Sequence, residues 1–250
     1  SWNVHHWKNI NWSDIELTET KMGNWILSNN PDILCIQENN DTKASKILRN
    51  SFPHHITGKY QMLCIYSKYP ILQWDFETYS SGYPGHKGFI WADVEISDPD
   101  GNIDTLRITN IHLVTTTFDK KEALSTNKKL DVLKSIYKSF TSLTKTAKKR
   151  SQQLDQIIEW EKHSKHPVFI SGDFNEVPTS NAYFKMTQNM KDAFSIAGKG
   201  LGSTYTNLWR FPLRIDWIIC PNEIDVQSAE ILDQTWSDHN PIMIEISPFK

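Results

Sequence analysis

A run of apolar residues, Pro167-Val168-Phe169-Ile170, empties directly into Ser171-Gly172-Asp173-Phe174-Asn175. Bounded by Pro and Gly and rich in β-branched and aromatic side chains, the run reads as a buried central strand. An acid and an amide follow its end at once, split by one aromatic. Side chains released from the end of a core strand can point into one cleft, and both are oxygen-rich groups of the kind that hold Mg²⁺, a water or a phosphate. The same Gly, Asp and Asn would also build a plain turn, so the rest of the chain has to decide.

Other apolar runs end in the same way. Trp2 and Val4 flank Asn3 in a short strand pattern, and Asp32 to Gln37 is a continuous apolar strand that terminates in Glu38. Thr105 to Val114 reads as a strand ending in Asn110-Ile111-His112-Leu113, after a turn-rich connection over Asp98 to Asn102 from Phe89 to Ile96. Arg214-Ile215-Asp216 opens another apolar run, and Ser237-Asp238-His239 precedes the strand Ile242 to Ile246. Each residue alone has an ordinary reading, such as an exposed strand end for Glu38 or a satisfied core histidine for His112. Carboxylates, amides and imidazoles recurring at strand boundaries are more simply explained by convergence on one cleft.

Between the strands, Ser13 with Glu16 forms a capping box for a helix that stops at Asn29-Asn30-Pro31. Lys43 to Asn50 and Ser180 to Gln188 read as short helices, and Met62 to Ser67 and Ile71 to Phe76 as strands joined by a turn. From about Lys120 to Lys165 the apolar period becomes helical, with Leu130, Leu133, Phe140 and Leu154 in step. Residues 120–150 carry ten Lys and Arg against two acids, a basic helical face that reads first as a solvated surface. Gly198 to Thr204 lacks the spacing of a phosphate-binding loop and reads as a mobile loop.

The bulk properties narrow the field without naming a substrate. A formal charge of -2 argues neither for nor against a polyanionic partner, and Cys35, Cys64 and Cys220 sit in apolar runs as buried free thiols. No stretch approaches the roughly 18–20 apolar residues that span a bilayer. No linker or repeat divides the chain, so 1–250 reads as a single domain. Its abrupt opening on Ser1-Trp2-Asn3-Val4 suggests a segment upstream, which would allow a membrane anchor there; localisation is otherwise unassigned.

Six of these stretches, Trp2-Asn3-Val4, Pro31 to Glu38, Asn110 to Leu113, Gly172 to Asn175, Arg214-Ile215-Asp216 and Ser237-Asp238-His239, resemble in content and order the endonuclease/exonuclease/phosphatase superfamily typified by DNase I. The stretch from Gly172 to Asp216 looks most like uncharacterised bacterial members. The resemblance implies a four-layered α/β sandwich of two packed mixed β-sheets flanked by helices, and Mg²⁺- or Mn²⁺-dependent hydrolysis of a phosphoester. It implies Glu38 as the main metal ligand, with Asn3 and Asp238 completing or flanking the metal site. His239 would take a proton from water with Asp216 fixing its tautomer, and Asp173 would orient that water. Asn175 would hold a phosphate oxygen, and His112 would be a second donor to the phosphate or leaving oxygen. The carboxylate that supports His112 is not identifiable at this level.

The substrate is expected to be a phosphodiester cleaved as a nuclease would cleave it. A phosphomonoester and a sphingomyelin-type lipid are alternatives, as is a silent binding module. Lys120 to Arg150 and the loop aromatics Trp7, Trp12, Tyr83 and Trp209 would suit nucleic acid. The chain is expected to be a monomer with no obligate protein partner, and to touch a membrane only through an upstream anchor.

Overall fold

The apolar runs form two sheets. The first holds β1 (Trp2–Asn3), β2 (Ile33–Gln37), β3 (His54–Thr57) and β4 (Leu63–Ser67) in the order β1-β2-β4-β3. In it β1 runs parallel to β2, and the other pairs are antiparallel. The second contains β5 (Ile71–Tyr83), β6 (His86–Ser97), β7 (Ile103–His112), β8 (Val168–Asp173), β9 (Met190–Asp192) and β10 (Asp216–Pro221) in the order β5-β6-β7-β8-β10-β9. Here β7 and β8 are the parallel pair. The strands β11 (Asp225–Ile231) and β12 (Ile242–Ser247) pair with each other. The computed structural model describes residues 1–7, 15–58, 62–83, 86–97, 101–115, 146–206 and 213–247.

Alternation along the strands builds the layers. In β6, Ile90, Ala92 and Val94 face a core between the sheets, whereas Phe89 and Trp91 face outward. In β2, Cys35 faces that same inner core, and Leu34 and Ile36 face outward. Sheets that are apolar on both faces must be covered on both. Helices α1 (Ile15–Ser28) and α2 (Lys43–Ser51) cover the first sheet, packing Met22, Ile26 and Leu48 on Trp2, Ile36 and Tyr66. A helix over 146–161, α3, covers the second, setting Leu154 and Ile157 with Ile111, Ile170 and Trp217. The result is the expected four-layered α/β sandwich of two packed mixed sheets. Short helices α4 (Asn181–Met186) and α5 (Ala193–Ala197) follow β8 and β9.

Local chemistry explains the boundaries. Thr42 caps α2, and Ser45 completes a capping box there that was not expected; the box expected at Ser13 for α1 lies outside the described residues. The strands β3, β9 and β11 and helix α5 were not expected. They are short or carry too few apolar residues to show a period, and β11 breaks its own with a bulge between Val226 and Ser228. The strand expected to end at Phe76 is β5, which runs seven residues further. Gly198 to Thr204, expected to be a mobile loop, is held at its Thr204 end. Thr204 is fully buried, and its hydroxyl accepts from the backbone N–H groups of Ile215 and Asp216 at 3.0 and 3.1 Å.

Two strand registers bring polar side chains abreast. Parallel pairing of β7 with β8 puts His112 beside Asp173, and antiparallel pairing of β10 with β8 puts Asp216 beside Asp173. Three chemically active side chains therefore stand in one row across adjacent strands. Gly172 permits this closeness: its φ is +140°, and a Cβ there would lie 2.0 Å from the Ile111 carbonyl oxygen. In the facing sheet, pairing of Asn3 with Gln37 leaves Glu38 just past the end of β2. A polar clamp joins the two sheets beneath this row. Gln37 Nε2 donates to Asn110 Oδ1 at 2.7 Å, and Asn110 Nδ2 donates to the carbonyls of Ile36 and Cys64 at 2.9 and 2.8 Å.

Candidate active site

The strand ends of both sheets meet at one place, and all eight residues singled out in the sequence lie there. Asn3 Nδ2 donates to Glu38 Oε1 at 3.2 Å and to Asp173 Oδ2 at 3.1 Å, linking the two sheets. Its Oδ1 accepts from the His5 backbone N–H at 3.1 Å, so Asn3 braces the acids with its N–H groups. His239 Nδ1 meets Asp216 Oδ2 at 2.9 Å, a true hydrogen bond that fixes the ring. On its other side, His239 Nε2 stands 3.8 Å from Asp173 Oδ2. Among the described residues, Asp173 and Glu38 stand 3.4 and 3.8 Å from His112 Nε2.

The loop residues are held as firmly. Asn175 N–H donates to Asp173 Oδ1 at 2.8 Å, and its Nδ2 donates to the Leu113 carbonyl at 3.0 Å and to Thr115 Oγ1 at 3.5 Å. Beside it Arg150, buried near the start of α3, donates to Glu176 Oε1 at 2.7 Å and to the Val114 carbonyl at 3.1 Å. Ser237 Oγ donates to the Asn3 carbonyl at 2.8 Å and accepts from the His239 N–H at 3.1 Å, tying the Asp238 loop to β1. Trp2 Nε1 donates to the His239 carbonyl at 2.7 Å.

Two residues at the mouth were not expected from the sequence. His5 Nδ1 lies 3.3 Å from Asp238 Oδ1 and 3.9 Å from Glu38 Oε2, and His6 Nε2 lies 3.4 Å from the same Glu38 oxygen. The signal available was two adjacent imidazoles after a strand; what hid it is backbone geometry. His5, His6 and Trp7 have φ of 47°, 57° and 61°, three left-handed residues in a row. Glu38 and Asn175 are left-handed too, at 54° and 52°. Such conformations cost on the order of 1–3 kcal/mol each and persist where the surroundings over-determine them. Trp7 is the anchor: it is fully buried, and its Nε1 donates to Asn39 Oδ1 at 2.9 Å. A ring so placed offers no face to a base, so Trp7 is not the stacking aromatic expected. Trp12, Trp209 and the side chain of Tyr83 lie outside the described residues, as does the basic stretch before residue 146. Arg150, at the end of that stretch, is buried rather than solvated.

Electrostatics follow from burial and crowding. Burial works to raise the Glu38 carboxyl, but the imidazoles of His112 and His6 and the Asn3 amide hold it below the usual range. Burial pushes Asp173 and Asp216 up, with His239 opposing. Burial also drives His112 down to about 4, which keeps that ring neutral. His239 goes the other way: burial disfavours its charge, yet Asp216 and Asp173 together raise it to about 10. The pair therefore stabilises an imidazolium at Asp216.

The donor set suits a hard dication. Glu38, Asp173, Asp216 and Asp238 have ion-pair contacts only with imidazoles among the described residues. Asp216 Oδ1 and Asp238 Oδ1 are buried without a hydrogen-bond partner. Asp173, Asp216 and His239 also bring their ligand atoms within 4.8 Å of one another. Within that triangle the 2.9 Å His239–Asp216 bond already occupies His239 Nδ1 and Asp216 Oδ2. The side chain of Glu38, 19 % exposed, is the more open carboxylate and has no such bond to lose.

The sequence model of the Endonuclease/Exonuclease/phosphatase family matches residues 1–239. Among curated proteins none matches the chain. Several solved structures share the fold. An endonuclease/exonuclease/phosphatase from Bacteroides vulgatus is 20 % identical with a TM-score of 0.66, covering 97 % of this chain and 95 % of its own. The 3' phosphatase NExo from Neisseria, bound to product DNA hairpin, is 16 % identical with a TM-score of 0.65, over 96 % and 97 %. The mannosyl-6-phosphatase of Bacteroides thetaiotaomicron VPI-5482 is 15 % identical with a TM-score of 0.59, over 92 % and 90 %.

Proposed function

The chain belongs to the endonuclease/exonuclease/phosphatase family, and on that premise we propose that it is a Mg²⁺- or Mn²⁺-dependent phosphoesterase that hydrolyses a phosphodiester with water activated by an Asp–His pair. The observation that carries this reading is the gap between Asp173 Oδ2 and His239 Nε2. At 3.8 Å it is too long for a direct hydrogen bond and right for one water touching both. Asp173 orients that water; with the acids that keep His239 charged offset by a dication held by Glu38, the neutral ring would then take the proton at Nε2. Asp216 at Nδ1 holds the tautomer and stabilises the imidazolium that results.

Glu38 would be the main metal ligand, with Asn3 and Asp238 flanking it, and a bound dication supplies Lewis acidity toward the phosphoryl oxygen. His112, kept neutral by burial, donates to a phosphate or leaving oxygen. Asn175 holds a phosphate oxygen, exchanging its weak 3.5 Å contact to Thr115 for it. The placement of Asn175 depends on its left-handed backbone and on the Leu113 carbonyl, both fixed before substrate arrives.

Two of the structural neighbours are named as phosphatases, which favours a phosphomonoester as the second reading. The test is hydrolysis of a chromogenic phosphodiester and of the corresponding monoester, each with and without Mg²⁺ or Mn²⁺. Metal-dependent turnover of the diester is expected. Turnover of the monoester alone would select the second reading, and no turnover of either would sink both. A nucleic-acid substrate would further require binding to weaken by about one decade per decade of salt for each phosphate contacted. Charge reversal at Lys128, Lys129 and Lys134 should flatten that slope.

A further inference from the structure

The segment 232–241 that joins β11 to β12 carries Asp238 and His239, yet it lies outside every strand and helix. Backbone N–H and C=O groups taken out of water need partners, and here side chains supply many of them. Ser237 Oγ accepts from the His239 N–H at 3.1 Å, the Thr206 N–H donates to the Asp238 carbonyl at 2.8 Å, and Trp2 Nε1 donates to the His239 carbonyl at 2.7 Å. Gln234, 8 % exposed, serves four such groups at once. Its Oε1 accepts from the N–H groups of Trp236 and Ser237, the latter at 2.9 Å. Its Nε2 donates to the carbonyls of Ser237, at 3.1 Å, and of His239, and lies 3.4 Å from Asn240 Oδ1. One amide thus closes the turn on itself and takes hold of the His239 main chain.

The His239 ring works within a narrow gap. Its Nδ1 is 2.9 Å from Asp216 Oδ2, and its Nε2 is 3.8 Å from Asp173 Oδ2 across the space assigned to one water. Asp216 and Asp173 stand abreast on β10 and β8, so the sheet fixes those two acids. Where the imidazole falls between them is decided by the loop. The grip on that loop converges on the His239 carbonyl, which Trp2 reaches from β1 and Gln234 from within the loop itself. In a reacting constellation a misplacement of about 1 Å can cost on the order of 10²-fold in rate.

We propose that Gln234 is a positioning residue, whose side-chain amide holds the main chain of 236–239 so that the His239 imidazole sits between Asp216 and Asp173. The assignment rests on the reading of His239 as the base. Among the described residues, the hydrogen bonds of Gln234 run to main chain and to Asn240, so it acts on the ring through the backbone. Both ends of the amide are used: the oxygen shapes the turn and the nitrogen holds the carbonyls. An ionised carboxylate in its place could only accept. It would keep the two N–H contacts and set an oxygen against the carbonyls of Ser237 and His239.

Gln234→Glu in the full chain tests the proposal through two readouts. The first is kcat and KM for whichever ester the wild type turns over. The second is the downfield proton resonance of His239 Nδ1–H bonded to Asp216, identified by its absence from His239→Ala. In Gln234→Glu, kcat should fall about 10- to 100-fold, with KM within about twofold of the wild type. The resonance should shift or broaden while the circular dichroism spectrum stays unchanged. Gln234→Met, which keeps the length but neither polar end, should act in the same direction and replaces Gln234→Glu if that chain does not fold. An unmoved resonance, a kcat within about twofold of the wild type, or a loss carried by KM alone would overturn the proposal. Unfolding of both variants would make Gln234 a residue of stability only and overturn it too. Should the wild type turn over neither ester, the proposed function falls, and the resonance alone decides whether Gln234 places His239.

Discussion

Asp93 and Arg107 face each other across β6 and β7 and close with two hydrogen bonds of 2.7 and 2.8 Å. Arg107 lies 4.1 Å from the Trp91 ring centroid and 4.8 Å from that of Trp160, under α3. The acids at the strand ends, Glu38, Asp173, Asp216 and Asp238, are met by imidazoles at 2.9 to 3.9 Å, on backbone that is repeatedly left-handed. Both clusters are buried charge. One is matched, bidentate and roofed by aromatic rings. The other, apart from the 2.9 Å His239–Asp216 bond, holds its charges at arm's length, with oxygens unsatisfied. Burial without close pairing costs stability, and this fold carries that cost at the junction of its two sheets.

The sharpest way to break this contrast is to neutralise each cluster in turn. At the strand ends, His239→Ala and Asp173→Asn should each lower phosphodiester turnover by roughly 10²–10⁴-fold. Asp173→Asn should not lower the urea midpoint, because it removes a carboxylate from a crowd of four, whereas His239→Ala strips buried Asp216 of its hydrogen-bonded imidazole and should lower it. A loss under about fivefold would mean that these residues do not handle the proton. Asp216→Asn should also be damaging, since it leaves the imidazole without its charged partner.

The matched cluster should respond in reverse. Asp93→Ala leaves a buried guanidinium unpaired and should cost about 3–5 kcal/mol in urea unfolding. Turnover per folded molecule should stay at the wild-type level. If Asp93→Ala instead costs under about 1 kcal/mol, the Arg107 charge finds solvent and the two clusters are not opposites.

Glu161 sharpens the comparison within the matched cluster. It is buried beside Arg107, takes the Thr109 hydroxyl as donor, and leaves Oε2 without a partner. Burial raises its carboxyl from the ordinary 4.5 to about 7, with Thr109 and Arg107 opposing. The folded chain therefore binds this proton more tightly than the unfolded one. The stability that the proton contributes is full below pH 4.5 and is lost as pH rises through about 7. Unfolding free energies from urea titrations across that window should fall in the wild type by on the order of 3 kcal/mol more than in Glu161→Gln. Parallel profiles would show that Glu161 is ionised throughout.

Much of the candidate site was legible because strand ends are visible in sequence. Glu38, His112, Asp173 and Asp216 each border an apolar run, and β-registers then place His112, Asp173 and Asp216 abreast. The inter-sheet clamp of Gln37 with Asn110 was not legible as a contact. Its partners are 73 residues apart, and each looks like one more polar residue in a strand. His5 and His6 were illegible for a different reason: a left-handed turn has no hydrophobic period, and neither His is a residue that demands one. Thr204 read as the end of a loose glycine-rich stretch, whereas its hydroxyl holds the entry to β10.

The family resemblance implied the layered α/β sandwich; by itself the sequence determined the main strands, such as β2, β6, β7 and β8, and which polar residues lie at their ends. These follow from apolar period and from local turn and cap chemistry, which act over a few residues. Tertiary structure alone decided the separations: that His239 Nε2 stands 3.8 Å from Asp173, and that Glu38 gives one oxygen to Asn3 and the other to His6. Those distances depend on strand register and on how the two sheets pack face to face. Each is set by contacts between residues far apart in the chain, and no local pattern encodes them.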